Sequence, residues 1–421
     1  MQGLKFSILI PTRERAATLG PCLETCLAQQ YANLEILVSD NASSPETRAV
    51  VDGFSDPRLK YFRQETRVSM RQNFEFLVDQ ASGDYIIMIG DDDGIMPDGI
   101  VAMAEFLSRD PVDVLNWAGV VYYWPNRLIK DRGFAVFKYQ KMFGALTRID
   151  PAARLASFMS GKTPNYIYGS NLYHGCVSRR VIDDVRGKTG QIFAGHMPDV
   201  YACVAFLFAA KSMAHFDHPL SISGVSPASN GFSFFSDVTP DESSAKKPAT
   251  PHLVFASEAD TDPGVARPYN TQLRASQYYT AIALMTANES YGGSHHVNLD
   301  AWAKIVVDEA KSYCDLHAAK SSLDPTFELD KKIIALIESD PSIIPGPKQA
   351  RDPNAKVSEK FNRLMIATKE NGRDDVMSAF RILGKILPRR EIRRQSPFGR
   401  FFDWLALRKT YQPYNLFKAQ Q

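Results

Sequence analysis

The chain has 421 residues, of which 44% are hydrophobic and 23% are charged, a composition that excludes a disordered or linker-dominated protein. Its 49 Lys and Arg residues nearly balance 47 Asp and Glu residues, so an electrostatic partner has to be sought in local patches. The five cysteines are scattered without zinc-ligand spacing, which argues against a disulfide framework or a zinc site. No apolar run reaches the roughly 18 residues of a membrane span. No secretory leader is recognisable, so we expect a cytoplasmic protein.

Short apolar strands alternate with helices in the first part of the chain. The pattern predicts strands at 5–10, 34–40, 59–62 and 84–90, separated by helices at 16–30, 45–54 and 70–81. This alternation is typical of a doubly wound, mostly parallel α/β sheet flanked by helices. Ligands of such sheets bind beyond the carboxyl ends of the strands. Three polar groups follow these strands: Pro11-Thr12-Arg13, Asp40-Asn41 and Asp91-Asp92-Asp93.

The chain divides into three predicted parts. An α/β domain over 1–224 ends with further strands and helices, predicted at 112–123, 126–150 (a hairpin-like insertion), 172–182, from Asp199 onward and at 218–224. Residues 225–270 are rich in Ser, Pro, Gly, Asp and Thr, and predict a lid or linker loop. The rest, 271–421, predicts a mainly helical C-terminal domain, with helices at 271–290, 299–319, 326–339, 355–370 and 373–387 and a linker at 341–356.

The consecutive carboxylates Asp91–Asp93 carry the clearest chemical signal. Carboxylates after a buried strand need a cation to neutralise them, and Mg²⁺ or Mn²⁺ takes one or two of them together with substrate phosphates. An exposed acidic turn is the alternative. Asp40 can accept the ring N–H of uracil, thymine or guanine, or it can cap a turn or helix. Arg13, Arg15 and Arg71 suit a base or a diphosphate, or they are surface charges.

Three segments resemble the family 2 glycosyltransferases in their order and spacing: FSILIPTRERAATL, LEILVSDNASSPET and MRQNFEFLVDQASGDYIIMIGDDDGIMPDGI. The resemblance covers the N-terminal quarter of the chain well. It implies the nucleotide-sugar-binding GT-A fold and a hexosyltransferase of polysaccharide biosynthesis that inverts the anomeric configuration.

The resemblance also assigns site residues. Pro11, Thr12, Arg13, Arg15, Asn41 and Arg71 would bind the nucleotide sugar, and Asp40 would take the base N–H. The acidic run would be the family's DXD motif, with Asp91 and Asp92 on the donor, and Asp92 and Asp93 on Mn²⁺ or Mg²⁺. Gly90 stands where the family often has its first Asp.

A thinner resemblance continues at 170–182 and 195–210. It makes Asp199 the candidate general base, although Pro198 replaces the Glu that often precedes it. His174 and His196 lie in the same segments and are candidate neighbours of the acceptor or of the metal ion. A helix N-cap is the alternative for Asp199, and a structural role is the alternative for each histidine. With a single base and direct displacement, the enzyme would transfer the sugar of a UDP-, dTDP- or GDP-sugar to a hydroxyl of a glycan or lipid-linked acceptor, and the anomeric configuration would be inverted.

A basic aromatic segment at 385–409 holds eight cations against two acids, or 8 − 2 = +6. It suits peripheral contact with an anionic membrane face, or a basic helix that packs its aromatic side on the catalytic domain. No nucleic-acid motif accompanies it, so no nucleic-acid partner is expected. The alternative function is a catalytically degenerate relative that acts as a scaffold or membrane-docking partner. A sugar-phosphate nucleotidyltransferase is disfavoured, because too few glycines follow the first strand.

Overall fold

The computed structural model describes residues 3–125, 132–138, 145–230, 233, 251–266, 270, 272–340, 342–343 and 363–387. The strands are β1 (Phe6–Thr12), β2 (Leu34–Asp40), β3 (Leu59–Arg63), β4 (Tyr85–Met88), β5 (Gly94–Ile95), β6 (Val114–Trp117), β7 (Val120–Tyr123), β8 (Phe134–Lys138), β9 (Leu146–Ile149), β10 (Gly175–Ser178), β11 (Met213–Phe216), β12 (Ser221–Val225) and β13 (Arg363–Ala367). The helices are α1 (Ala16–Leu27), α2 (Pro45–Asp52), α3 (Met70–Gln80), α4 (Gly99–Arg109), α5 (Pro151–Met159), α6 (Arg179–Thr189), α7 (Pro198–Ala209), α8 (Pro251–Ala259), α9 (Ser276–Ser290), α10 (Leu299–Ala310), α11 (Leu316–Lys320), α12 (Glu328–Ser339) and α13 (Val376–Ile386). A short 3-10 helix spans Tyr166–Tyr168.

The central sheet has eight strands in the order β3-β2-β1-β4-β10-β6-β11-β9. β10 and β9 run antiparallel to their neighbours, and the other pairs are parallel. Ile8 and Ile10 of β1 pack into the core that contains α1, whereas Leu9 packs into the opposite core with α3. Both faces of β1 are therefore buried, as an unbroken apolar run requires. The predicted α/β fold with a mostly parallel central sheet is confirmed.

Parallel pairing brings the carboxyl ends of β1, β2 and β4 to one edge of the sheet. Thr12 at the end of β1 is in register with Asp40 at the end of β2. The Asn41 N–H donates to the Thr12 carbonyl at 2.9 Å, which holds the two loops together. The polar groups that follow these strands in the sequence consequently meet at this edge.

A second sheet has five strands in the order β13-β8-β7-β12-β5, and one sequence prediction is wrong here. The hairpin-like insertion predicted at 126–150 lies partly outside the described residues; of its described strands, β8 pairs antiparallel with β7 and with β13, and β9 joins β11 of the central sheet. Residues 363–367 form a strand, although a helix is predicted at 355–370. A short apolar run such as this fits either structure, and pairing with β8 decides between them.

The C-terminal region is mainly helical, as predicted. α9 packs along α7, and α10 packs along α12. Trp302 of α10 is fully buried and its indole N–H donates to the Phe158 carbonyl at 3.0 Å, which ties this region to α5. The boundaries at residues 224 and 270 stay a prediction. Residues 388–409 of the basic segment lie outside the described residues.

Two further findings concern chain topology. None of the described helices combines the length and the apolar character that crossing a membrane requires. In the same described structure the five cysteines form no disulfide bond.

Candidate active site

A cavity of about 810 Å³ opens at the carboxyl ends of β1 and β4. Its walls come from the loops after these strands, from β7, β8 and β12, from the start of α7, and from the 3-10 helix and α8. Most residues predicted for the site line this cavity: Pro11, Thr12, Arg13, Arg15, Asn41, Asp91, Asp92, Asp93, His174, His196 and Asp199. Asp40 and Arg71 are not part of the lining.

Asp91 and Asp92 form the acidic wall of the cavity. The Thr12 hydroxyl donates to Asp91 Oδ2 at 2.6 Å, and Arg15 Nε lies 3.9 Å from Asp91 Oδ1. Asp92 Oδ2 accepts the Ser226 N–H at 3.2 Å. Burial raises the pKa of Asp91 to about 7 and the pKa of Asp92 to about 6, and the neighbouring carboxylates add to both shifts. The positive charge around Asp91 and Asp92 is therefore too small to stabilise both carboxylates in their ionised form.

Asp93 has a different environment from the other two carboxylates. Its Oδ2 accepts hydrogen bonds from Gly90 N at 2.5 Å and Tyr173 Oη at 3.0 Å, and its Oδ1 accepts from Gly224 N at 2.6 Å. His174 Nε2 lies 3.1 Å from Oδ2. Burial opposes ionisation, but the His174 ring and the N–H groups of Gly224 and Gly90 hold the pKa of Asp93 below its usual value. Asp93 consequently anchors the acidic turn to β12 and to the segment before β10.

Gly90 is explained by the same contacts. A Cβ atom at this position would collide with the Tyr173 hydroxyl, which donates to Asp93. A larger residue at position 90 would therefore require Tyr173 to shift from its contact with Asp93.

The three carboxylates of the acidic turn differ in how well they suit a metal ion. The sequence predicts Asp92 and Asp93, but Asp93 does not fit, because both of its oxygens already accept hydrogen bonds from the chain. Asp91 and Asp92 fit better, since they are adjacent, line the cavity and have raised pKa values. Within the described residues no cluster of three or more His, Cys, Asp or Glu side chains could hold a metal ion. Two carboxylates completed by substrate phosphates are a common Mg²⁺ arrangement.

Asp40 is fully buried behind the cavity. Its Oδ1 accepts the Ser43 N–H at 2.9 Å, as in the predicted turn, and its Oδ2 accepts from Tyr61 Oη at 2.6 Å and Arg63 Nη1 at 2.9 Å. A base N–H would reach this carboxylate only if Arg63, whose side chain is half exposed, moved away. Base recognition by Asp40 therefore stays a prediction.

Arg71 forms an ion pair with Asp262, a residue that the sequence gave no reason to select. It donates to Asp262 through Nε at 2.7 Å and through Nη2 at 2.8 Å, and the two side chains are 11% and 1% exposed. Ser69 also donates to this carboxylate. The planar two-point contact fixes the segment after α8 to the start of α3.

We expect Arg71→Met to lower the free energy of unfolding by about 3–5 kcal/mol, because it leaves the buried Asp262 carboxylate without its cation. Burial opposes ionisation, yet the Arg71 and Ser69 hydrogen bonds hold the pKa of Asp262 below its usual value. This contribution is therefore present above the unfolded-state pKa and is lost as pH falls through the lower folded pKa.

Urea denaturation measures this loss. Arg48→Met is the matched control, because the side chains of the Arg48–Asp52 pair are 57% and 55% exposed, and removing such a pair changes stability by no more than about 1 kcal/mol. Equal losses in the two variants would show that the Arg71–Asp262 pair has no special role.

α8 covers one side of the cavity and contacts Arg13. Glu258 Oε2 lies 2.6 Å from Arg13 Nη1, and the Phe255 ring centroid lies 5.3 Å from the Arg13 guanidinium carbon. Arg15 donates to the Ala228 carbonyl in the same segment. Two arginines predicted for the nucleotide are thus held by residues of the 225–270 segment. Its role as a lid stays a prediction.

Asp199 lies in the first turn of α7, where Met197 is the N-cap and Pro198 the first helical residue. It therefore does not occupy the N-cap position that the sequence offered as an alternative. Burial raises the pKa of Asp199 above its usual value, although the Val200 N–H opposes the shift. A cavity-lining carboxylate with a raised pKa suits proton abstraction.

The two predicted histidines are both held by other side chains. Trp117 Nε1 donates to Ser221 Oγ at 2.8 Å, which leaves that hydroxyl free to donate to His174 Nδ1 at 2.8 Å while Nε2 faces Asp93. His196 Nε2 lies 3.4 Å from Asp260 Oδ1, and burial lowers the pKa of His196. Both rings line the cavity, and acceptor binding by them stays a prediction.

The sequence reasoning missed several residues that shape this cavity: Trp117, Tyr168, Tyr173, Ser221, Gly224 and Glu258. Tyr173 is next to His174 in the 170–182 segment that carries part of the resemblance. A polar hydroxyl in that segment was the signal that could have marked it as a site residue. Glu258 gave none, because an acid in a Ser-rich and Pro-rich stretch looks like any surface charge.

The cavity lies at the carboxyl ends of strands in a mostly parallel α/β sheet, which is where such sheets bind their ligands. The sequence model of glycosyl transferase family 2 matches residues 7–163. The match covers the segments that carry the resemblance found in the motifs and confirms that resemblance for this part of the chain.

Curated relatives include the GalNAc(5)-diNAcBac-PP-undecaprenol beta-1,3-glucosyltransferase of Campylobacter jejuni, which is 32% identical over 31% of this chain and 40% of that protein. The UDP-Glc:alpha-D-GlcNAc-diphosphoundecaprenol beta-1,3-glucosyltransferase WfgD of Escherichia coli is 34% identical over 22% of this chain and 37% of its own. The chain thus spans about two fifths of the length of these relatives.

One solved structure with a similar chain is Staphylococcus aureus TarS in complex with UDP-GlcNAc. It has 14% identity and a TM-score of 0.42, and the match covers 80% of this chain and 91% of that one.

Proposed function

We propose that the protein is a metal-dependent, inverting glycosyltransferase that moves a sugar from a nucleoside diphosphate sugar to a hydroxyl of a lipid-linked saccharide. The observation that carries the proposal is that the Asp91–Asp92 pair and Asp199 line one cavity at the carboxyl edge of the sheet. Two relatives are named as glucosyltransferases of undecaprenol-linked saccharides, and one of these names includes UDP-Glc. UDP is therefore the first choice of donor nucleotide, with dTDP and GDP next.

Asp91 and Asp92 would hold a Mn²⁺ or Mg²⁺ ion, which supplies Lewis-acid neutralisation of the diphosphate leaving group. Arg15 places a fixed positive charge beside the same carboxylates. Thr12 orients Asp91 through its hydroxyl. These residues bind the donor and leave its anomeric carbon accessible to the part of the cavity that Asp199 lines.

Asp199 takes the proton of the acceptor hydroxyl while the hydroxyl oxygen forms its bond to the anomeric carbon. The bond from that carbon to the diphosphate oxygen breaks, and the nucleoside diphosphate leaves with the electron pair. Because attack and departure occur on opposite faces, the anomeric configuration is inverted.

The test is a thermal-shift panel of UDP, dTDP, GDP, CDP and ADP, each with and without Mn²⁺. One imide-bearing nucleotide is expected to raise the Tm, and Mn²⁺ to enlarge the shift; at a hundredfold excess over Kd the stabilisation is about 2.7 kcal/mol. The same panel on Asp92→Asn should lose the Mn²⁺-dependent part. If no nucleotide stabilises the protein, the proposal fails in favour of a degenerate scaffold.

A further inference from the structure

Exposed apolar side chains are concentrated at the mouth of the cavity. Among the described residues the large hydrophobic side chains left in water are Ile167, Tyr168 and Leu253, with 50%, 47% and 42% of their surface exposed. Ile167 and Tyr168 are neighbours on the 3-10 helix and both line the cavity, whereas Leu253 does not. An adjoining apolar pair at the rim of a site is an unsatisfied surface that a ligand can cover.

The 3-10 helix is held firmly in place. The Asn165 side chain accepts the Ile167 N–H at 3.1 Å, and Asn171 Nδ2 donates to the Ile167 carbonyl at 2.9 Å. The Ser170 N–H donates to the Cys203 carbonyl of α7 at 2.9 Å. The pair is thus fixed to the same helix that carries the candidate base, so a ligand can meet it without ordering a loop.

The position of the pair relative to Asp199 shows which substrate would meet it. Ser170, two residues after Tyr168, donates its N–H to the carbonyl of Cys203, which lies about one turn after Asp199 on α7. Asp199, Ile167 and Tyr168 also line the same cavity. An acceptor whose hydroxyl reaches Asp199 would therefore extend over Ile167 and Tyr168. The donor side, at Thr12 and Asp91, is another part of the cavity wall.

Size and polarity favour a sugar ring over a lipid chain. The Arg154 guanidinium carbon lies 5.8 Å from the Tyr168 ring centroid, so a cation rather than further apolar surface adjoins the pair. A pyranose has one apolar C–H face of about the size of an aromatic ring, with hydroxyl groups around its edge. A polyprenyl chain needs a continuous apolar surface longer than two side chains.

We propose that Ile167 and Tyr168 form an acceptor subsite that binds the sugar ring next to the one that reacts, with Tyr168 stacked against its apolar face. The proposal rests on the proposed function and adds a requirement to it: the acceptor carries at least two sugar rings. Tyr168 is then a residue that determines acceptor specificity.

The test is saturation-transfer NMR with cellobiose, lactose and N,N′-diacetylchitobiose, recorded with UDP and Mn²⁺ present. We expect at least one disaccharide to bind the wild-type protein, and Tyr168→Ala to weaken that binding about tenfold, or roughly 1.4 kcal/mol. Tyr168→Trp should retain binding. Leu253→Ala is the matched control, an exposed apolar side chain outside the cavity lining, and should change nothing.

The opposing outcomes are distinct. Equal disaccharide binding by Tyr168→Ala, or no binding by the wild type, overturns the subsite. Binding of dodecyl phosphate that depends on Tyr168, without disaccharide binding, would assign the pair to the lipid instead. UDP should raise the Tm of the Tyr168→Ala variant as much as that of the wild type. If the subsite proposal is wrong but the proposed function is right, UDP still stabilises both proteins. If the proposed function is wrong, UDP stabilises neither.

Discussion

Asp199→Asn is expected to lower kcat about 10²- to 10⁴-fold, because the variant lacks the base that removes the acceptor proton. The amide keeps the size of the side chain, so UDP binding and Tm should stay close to those of the wild type. Single-turnover transfer from the donor that the nucleotide panel selects measures the loss. Asp300→Asn is the matched control, since Asp300 also lies in the first turn of a helix, α10, but outside the cavity.

The pH dependence adds an independent readout of the same residue. Burial raises the pKa of Asp199, and only the ionised carboxylate accepts a proton. The rate of the wild-type protein should therefore rise with pH through a midpoint above the usual Asp pKa of about 4. An active Asp199→Asn protein, or a wild-type acid limb that persists unchanged in it, would remove Asp199 from the mechanism.

Asp92→Asn is expected to abolish Mn²⁺-dependent nucleotide binding and to reduce transfer about a thousandfold, or roughly 4 kcal/mol. The same substitution should not lower the stability of the metal-free protein. Because the pKa values of Asp91 and Asp92 are raised to about 7 and about 6, ionisation of this pair destabilises the folded protein near neutral pH. Removing one charge should keep or raise the Tm of the metal-free protein, which separates lost binding from unfolding.

Asp93→Asn provides the contrast, because Asp93 is bound by the chain rather than directed at a ligand. This variant should have a lower free energy of unfolding than the wild type.

For the wild type, Mn²⁺ has to displace protons from Asp91 and Asp92, so calorimetry with UDP present should show a Mn²⁺ affinity that rises from about pH 5.5 to about pH 8. An affinity independent of pH over this range would contradict the ligand assignment.

The parts of the fold that the sequence predicted are those in which local pattern and tertiary environment agree. β2 falls on residues 34–40 as predicted, since LEILVSD is apolar enough to be buried on both faces. The run at 363–367 is apolar too, but its structure depends on a partner strand more than two hundred residues earlier. Local periodicity carries no information about that partner, so the strand was predicted as helix.

The candidate site divides in the same way. The residues that follow β1 and β4 could be placed together, because parallel strands bring their carboxyl ends to one edge. The separate roles of Asp91, Asp92 and Asp93 could not be predicted. They depend on Tyr173 and Gly224, and the sequence does not indicate where the segments that carry these two residues lie in the fold. Arg71 was assigned to the donor for a related reason: its buried partner Asp262 lies in a segment without periodicity.

The five-stranded sheet has a consequence for biosynthesis. β12 carries Gly224, whose N–H holds Asp93, and it belongs to the same sheet as β13. Arg373, just after β13, pairs with Glu24 of α1 at 2.9 Å, so elements near opposite ends of the described chain are in contact. While the ribosome is still translating residues before β13, the nascent chain contains every predicted catalytic carboxylate but cannot complete the sheet behind them. The edge at β8 stays unpaired until residues 363–367 have been synthesised, and during that interval aggregation or chaperone capture would compete with folding.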